Sequence, residues 1–291
     1  MSFGAGGPLG ALPSTAIVAG QRPLRTPRVL AIAGSDSGGG AGIQADLKAF
    51  ARCGVHGMTA ITAITAQNTV AVTAMHAVPA EMVVGQVRAV VEDIGVDAVK
   101  IGMPGTRESV AAVARALDLL APGTPIVLDP VMVAESGAAL LEPDAVELLT
   151  SALIPRATVI TPNIPEAGAL VGRTAARPGA ELEELATALL ALGPGAVIVT
   201  GGHRGGEDAV DLFLSADGAA EIRGQRFPEG AAHGSGCTHS SALAAHLALG
   251  FAPLEAARRA HVLAAQAVRD GLRDIGAGAG PVDAIGLTRR W

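Results

Sequence analysis

The chain reads as an α/β domain in three layers, with a mostly parallel central sheet flanked by helices and a small β excursion. Three observations predict it. From Val29 onward, short apolar runs alternate with longer helical patterns, the βαβ rhythm of a parallel sheet. Hydrophobic residues make up 49% of the 291 positions and charged residues only 16%, enough apolar surface for a large buried core. Polar and glycine-rich clusters fall just after the apolar runs, where the carboxyl ends of parallel strands gather ligands.

The first run, Val29 to Ala33, is wholly apolar and predicts a buried strand; an amphipathic helix from about Ala41 to Cys53 and a second strand from Met58 to Thr65 complete one βαβ unit. A helix near Ala80 to Asp93, a strand Ala98 to Ile101 and a helix near Arg107 to Leu120 repeat the pattern. The strand Ile126 to Leu128 ends at Asp129, and Val159 to Thr161 forms the next. After a helix around Glu181 to Leu192 comes the strand Ala196 to Thr200. Two antiparallel strands between Ala209 and Phe227 turn at Ala216-Asp217-Gly218, and helices near Cys237 to Leu249 and Pro253 to Leu272 close the pattern. One domain over 28–291, preceded by a loose Gly/Pro/Ala-rich tail over 1–27, is the organisation expected.

Composition removes several function classes. No stretch reaches the roughly 18 uninterrupted apolar residues of a membrane span, so no membrane partner is expected. Lys48 and Lys100 are the only lysines and the net charge is -6, which leaves no basic stripe for nucleic acid. Cys53 and Cys237 lie far apart, suggesting neither a disulfide framework nor a zinc cluster; a reducing cytoplasm fits. Arg22, Arg25 and Arg28 lend the tail some positive charge, without the continuous apolar segment of a targeting peptide.

Four clusters can carry chemistry, and each has a plainer reading beside it. Gly34-Ser35-Asp36-Ser37-Gly38-Gly39-Gly40-Ala41-Gly42 follows the first strand: its amides suit close approach to a ligand, or it is only a flexible turn. It fits neither the Walker A pattern nor the dinucleotide fingerprint. Ala66-Gln67-Asn68-Thr69 offers an amide to a heteroaromatic ring, or caps a turn. Asp129, with Asn163 and Glu166 one unit later, suits Mg²⁺ held through waters, or supplies helix caps and a first-turn acid. His233-Gly234-Ser235-Gly236-Cys237-Thr238 opens a helix: there the amides make an anion site and the helix end lowers a thiol pKa, or Cys237 is a buried structural cysteine. Cys53, inside the first helix, is read as structural.

Together the runs A-G-S-D-S-G-G-G-A-G-I-Q-A-D-L-K, T-A-Q-N-T, K-I-G-M, D-P-V-M, T-P-N-I-P-E, G-G-H and H-G-S-G-C-T resemble the hydroxymethylpyrimidine kinase family of the ribokinase superfamily, over about residues 28 to 283. The resemblance implies a ribokinase-like fold and ATP- and Mg²⁺-dependent phosphorylation of a pyrimidine alcohol, and then of its monophosphate, in thiamine biosynthesis. It implies that Gly34, Asp46, Gln67, Met103 and Val131 line the pyrimidine pocket, and that Asp129 and Glu166 serve the metal. Asn163, Thr200, Gly202, Arg204 and Ser235 fall to ATP. Gly234 and Gly236 form the anion hole and Cys237 is the general base. A homodimer is also implied.

The chain departs from the pattern where many relatives read K-G-G-H and K-S-G. Here stand Thr200-Gly201-Gly202-His203 and Glu135-Ser136-Gly137, so two lysines near the phosphates are lost. Arg204, four residues beyond Thr200, either replaces one with a forked contact or is a solvated loop arginine. A pyridoxal kinase on the same scaffold, and a non-catalytic pyrimidine-binding module, are the competing expectations.

Overall fold

A computed structural model describes residues 25–135, 137–172, 182–201 and 208–288. Its strands are β1 (Arg28–Asp36), β2 (His56–Gln67), β3 (Val72–Ala77), β4 (Ala98–Ile101), β5 (Ile126–Leu128), β6 (Val159–Ile160), β7 (Ala196–Val199), β8 (Asp208–Ser215) and β9 (Gly218–Gln225). They form one sheet in the order β3-β2-β1-β4-β5-β6-β7-β8-β9. The pairs from β2 through β7 are parallel, while β3 on β2, β8 on β7 and β9 on β8 are antiparallel.

The helices are α1 (Gly42–Cys53), α2 (Ala80–Asp93), α3 (Arg107–Leu117), α4 (Pro143–Leu148), α5 (Ile164–Leu170), α6 (Leu182–Leu190), α7 (Ser235–Ala248) and α8 (Pro253–Arg269). Strand alternation sorts them into two layers. Leu30, Ile32, Val99, Ile101, Leu128 and Ile160 pack with the buried faces of α2 to α6. Their neighbours Val29, Ala31, Ala98, Val127 and Val159 pack instead with α1, α7 and α8. A parallel strand covered on both faces must be apolar at consecutive positions, and that is the signal the sequence carries in its central runs. No helix among the described residues is long and apolar enough to cross a membrane.

Three elements, β3, α4 and α5, add to the expected pattern. β3, Val-Thr-Ala-Met-His-Ala, is exposed along almost its whole length, so it lacks a buried face to mark it. α4 runs on through short π and 3-10 turns to Arg156, between the expected strands ending at Asp129 and starting at Val159, where the sequence marks no element. α5 is short and contains Pro165 and Gly168, yet Asn163 and Glu166 close a capping box on it, a pattern visible as Asn-x-x-Glu. The third and last helices end earlier than expected, at Leu117 and Arg269. The expected helix start at Glu181 lies outside the described residues, as do residues 1–24 of the expected tail. Arg25 and Arg28, at the boundary of that tail, both pair with Asp97, at 2.7 and 3.0 Å.

Candidate active site

The loops at the carboxyl ends of β1, β2, β4, β5, β6 and β7, together with the turn before α7, surround a cavity of about 770 Å³. Its first wall is the glycine loop between β1 and α1, which is wound around one carboxylate. Asp36 accepts from the amides of Gly38 at 2.8 Å, Gly40 at 3.0 Å and Ala41 at 2.8 Å, and its Oδ2 lies 3.1 Å from His233 Nε2. Burial alone would raise its pKa; the bonds from His233 and the loop amides outweigh it and hold Asp36 below the usual carboxylate range. Gln44 adds a further tie, accepting from the Asp36 amide at 3.0 Å and donating to Ser35 Oγ at 2.8 Å.

Glycine is required where this loop meets the turn before α7. Gly234 has φ +83° and a Cβ there would fall 1.8 Å from the Gly40 carbonyl oxygen; a Cβ on Gly40 would fall 2.1 Å from the His233 ring. A Cβ on Gly34 would lie 2.3 Å from Met103 Cε, so the thioether seats directly on the β1 backbone. Met103 joins Leu140, Val131, Ala63 and Val72 in a small apolar cluster, and Gln67 stands beside it, its Oε1 accepting from Thr65 Oγ1 at 3.1 Å. One end of the cavity thus pairs an apolar wall with a side-chain amide, the environment a flat polar heterocycle takes.

Beneath the floor runs a buried chain of charges. Lys100 stands inside the otherwise apolar strand β4, is wholly buried, donates from Nζ to Asp46 Oδ1 at 2.9 Å and lies 4.0 Å from Asp129 Oδ2. Ser241 donates to Asp46 at 2.7 Å and Ser240 to Asp129 at 2.8 Å. Burial acts to lower the Lys100 pKa, but the charges of Asp46, Cys237 and Asp129 reverse it, so the ammonium persists. Asp46 is fully buried and lies behind the cavity wall, away from the pyrimidine-lining position expected of it. It orients Lys100, which does line the cavity.

Asp129 and Glu166 face the cavity together. Burial and the Asp129 charge push Glu166 up to about 8, and burial likewise raises Asp129. Two buried carboxylates that resist ionising side by side suit a hard divalent cation, though Glu166 Oε2 is already taken by the Asn163 amide at 2.9 Å. Glu166 therefore meets both readings, as cap and as cavity acid. Among the described residues no group of three or more His, Cys, Asp or Glu could hold a metal, so an ion here would be completed by water and ligand oxygens.

α7 begins at Gly234 without a side-chain cap, which leaves the Gly236 and Cys237 amides without an intrahelical acceptor. Cys237 corrects the expectation of a lowered thiol. Burial pushes it up to about 12, even though Lys100 pulls the other way. Cys53 is likewise pushed up to about 11 by burial, as its structural reading implies.

Of the expected site residues, Gly34, Gln67, Met103, Val131, Asp129, Asn163, Glu166, Thr200, Gly234, Ser235, Gly236 and Cys237 all line this one cavity. Gly202 and Arg204 lie outside the described residues. Asp36, Lys100 and His233 were present in the motifs without a role assigned, and Leu140 was not singled out; a lysine inside an apolar strand is itself a signal, since a buried ammonium must be paired.

The phosphomethylpyrimidine kinase family matches this chain over residues 36–283. The hydroxymethylpyrimidine/phosphomethylpyrimidine kinase of Rhizobium meliloti is 50% identical over 259 residues, covering 88% of this chain and 96% of the relative. The same-named protein of Streptomyces coelicolor is 46% identical over 265 residues, covering 90% and 95%. A pyridoxal kinase from Staphylococcus aureus, solved with AMP-PCP and pyridoxal, overlays with a TM-score of 0.82 at 32% identity, covering 91% of this chain and 96% of its own. A phosphomethylpyrimidine kinase structure from Clostridium difficile overlays with a TM-score of 0.71 at 41% identity, covering 81% and 97%.

Proposed function

The chain belongs to the phosphomethylpyrimidine kinase family, and on that premise we propose that it transfers the γ-phosphoryl group of ATP to hydroxymethylpyrimidine and then to the resulting monophosphate, in thiamine biosynthesis. The observation that carries the reading is the meeting, in one cavity, of the Gln67–Met103 wall with the uncapped start of α7. A ring held against the first presents its hydroxymethyl group to the second.

Gln67 pairs with the ring nitrogen and amino group, and Gly34, Met103 and Val131 sandwich the ring. The Gly236 and Cys237 amides hold the transferring group's oxygens while charge spreads over them. In the first transfer, the alcohol oxygen bonds to the γ-phosphorus, the bond to the β-phosphate oxygen breaks, ADP leaves, and the alcohol proton passes to Cys237 as thiolate. With a thiol near 12, this base is available in only a small fraction of molecules at neutral pH. Asp129 and Glu166 would hold Mg²⁺, which neutralises phosphate charge when bound. Lys100 sets the charge behind both Cys237 and Asp129. The reading includes a cytoplasmic homodimer.

A second reading, phosphorylation of pyridoxal, is favoured by the close overlay with a pyridoxal-bound kinase. Measuring kcat/KM for the two alcohols with ATP separates them. A clear preference for the pyrimidine is expected; an equal or reversed preference selects the pyridoxal reading, and binding without transfer leaves only a pyrimidine-binding module.

A further inference from the structure

His233 has no part in the transfer step above, yet it stands where two parts of the site meet. Its side chain is buried, with Nε2 3.1 Å from Asp36 Oδ2, and it leaves no room for a side chain at Gly40. Asp36 is held below the usual carboxylate range, and a carboxylate only accepts, so His233 Nε2 is the donor. The next residue, Gly234, opens α7 and touches the same glycine loop, since a Cβ on it would fall 1.8 Å from the Gly40 carbonyl oxygen. The start of α7 is thus docked on that loop by one side chain and one backbone contact.

The same loop also holds Gln67. Ser37 Oγ donates to the Gln67 carbonyl at 2.7 Å and accepts from the Gln67 amide at 2.8 Å, a reciprocal pair at the end of β2, where the register with β3 shifts. A Cβ on Gly38 would fall 3.3 Å from the Gln67 carbonyl oxygen, so loop and strand end lie in contact. A second route joins the same two points. His233 donates its amide to the Gly280 carbonyl at 3.3 Å, and its carbonyl accepts from the Val282 amide at 3.1 Å. The run Gly276-Ala277-Gly278-Ala279-Gly280 leads from there to Thr69, two residues past Gln67. The Gly278 amide donates to Thr69 Oγ1 at 3.2 Å, and a Cβ on Gly278 would fall 1.8 Å from the Thr69 carbonyl oxygen. Glycine there lets the run lie directly on the backbone it crosses.

We propose that His233 is a positioning residue: it fixes the start of α7 against the loop that carries Gln67, and so sets the reacting groups at their working separation. The inference rests on the kinase reading above, in which Gln67 holds the ring and the Gly236 and Cys237 amides hold the phosphoryl oxygens. With the His233–Asp36 bond cut, each of those groups still binds its own ligand. What is lost is their register, and a misplacement of about 1 Å between groups that must react costs about 10²-fold in rate. A loss of that kind falls on kcat and leaves affinity for the ring in place.

The test compares His233→Met with His233→Gln in the full chain. The two replacements are close in length and volume, and only glutamine keeps a donor for Asp36. In His233→Met, kcat for transfer to hydroxymethylpyrimidine should fall about 10²-fold, while the pyrimidine Kd, measured by calorimetry without ATP, stays within about threefold. His233→Gln should recover most of the rate. Ser37→Ala should show the opposite split, weakening pyrimidine binding about two- to tenfold with kcat at saturation nearly kept. A merely structural histidine would behave otherwise: Kd and kcat would worsen together in His233→Met and glutamine would do no better than methionine. That result overturns the proposal, as does a methionine variant with kcat within about threefold of the wild type. Should His233→Met fail to fold, Asp36→Asn takes its place, because it keeps the ring and removes the charge that receives its proton; a kcat lower by about tenfold is expected, and an unchanged kcat overturns the proposal. Wild-type protein that binds the pyrimidine and transfers no phosphoryl group would instead overturn the kinase reading, and this inference with it.

Discussion

The two ends of the cavity are built on opposite principles. At the ring end the glycine loop is tied in advance: Asp36 collects three amides and His233, Gln44 fastens the loop, and glycines let backbones touch. At the other end the buried imidazoles of His239 and His261 converge on Asp211, and Phe227, Ala264, Ala265 and Val268 add apolar wall. The first end is held by hydrogen bonds wound around one carboxylate, and the second by a buried ion cluster behind mostly apolar wall. The α7 turn belongs to both, because Gly234 packs on the ring-end loop while His239, farther along the helix, lies beside Asp211.

This contrast can be broken first beneath the floor. Lys100→Met should leave Asp46 and Asp129 as uncompensated buried charges, costing about 3–5 kcal/mol of stability. Urea denaturation checks it, and adding Asp46→Asn should restore part of the loss. At the junction, Gly234→Val would force a Cβ into the Gly40 carbonyl at a positive φ, so about 2–4 kcal/mol is expected from strain and overpacking together. The pre-tied loop should suffer with it, read as weaker pyrimidine binding. Gln67→Leu sharpens the comparison more gently. It should raise the pyrimidine KM by the equivalent of about 1–3 kcal/mol and spare the ATP KM; the reverse pattern would exchange the two ends.

What the sequence discloses follows from the same physics. Strands covered on both faces, such as Val29 to Ala33 and Ile126 to Leu128, announce themselves as apolar runs, whereas β3 has no covered face and leaves no such trace. The glycine loop, Gln67, Asp129, Glu166 and the α7 turn are legible because each sits at a strand or helix end. Roles that depend on a distant partner are not: Asp36 meets His233 across 197 residues, and Asp211 meets His261 across 50. Asp46 shows the converse error, since its place in a motif does not say which side of the wall it occupies. Cys237 shows another. Its helix start is visible in sequence, but the burial that raises its pKa to about 12 is a property of the packed fold.

The claim that transfer runs on Cys237 as a base is tested most directly by comparing the two phosphorylations in one variant. An alcohol must lose a proton, whereas the phosphomonoester that accepts the second group, with its second pKa near about 6, is already ionised at neutral pH. Cys237→Ala should therefore slow the first transfer by about 10²- to 10⁴-fold and the second only several-fold, with pyrimidine affinity kept. In the wild type, because the thiol titrates near 12, kcat of the first transfer should climb with pH from 6 to 9 without a plateau, and Cys237→Asp should flatten that rise while retaining more activity than Cys237→Ala. Equal loss of both transfers in Cys237→Ala, or near-normal kcat for the first, would contradict the account and leave the α7 amides to act without the thiol.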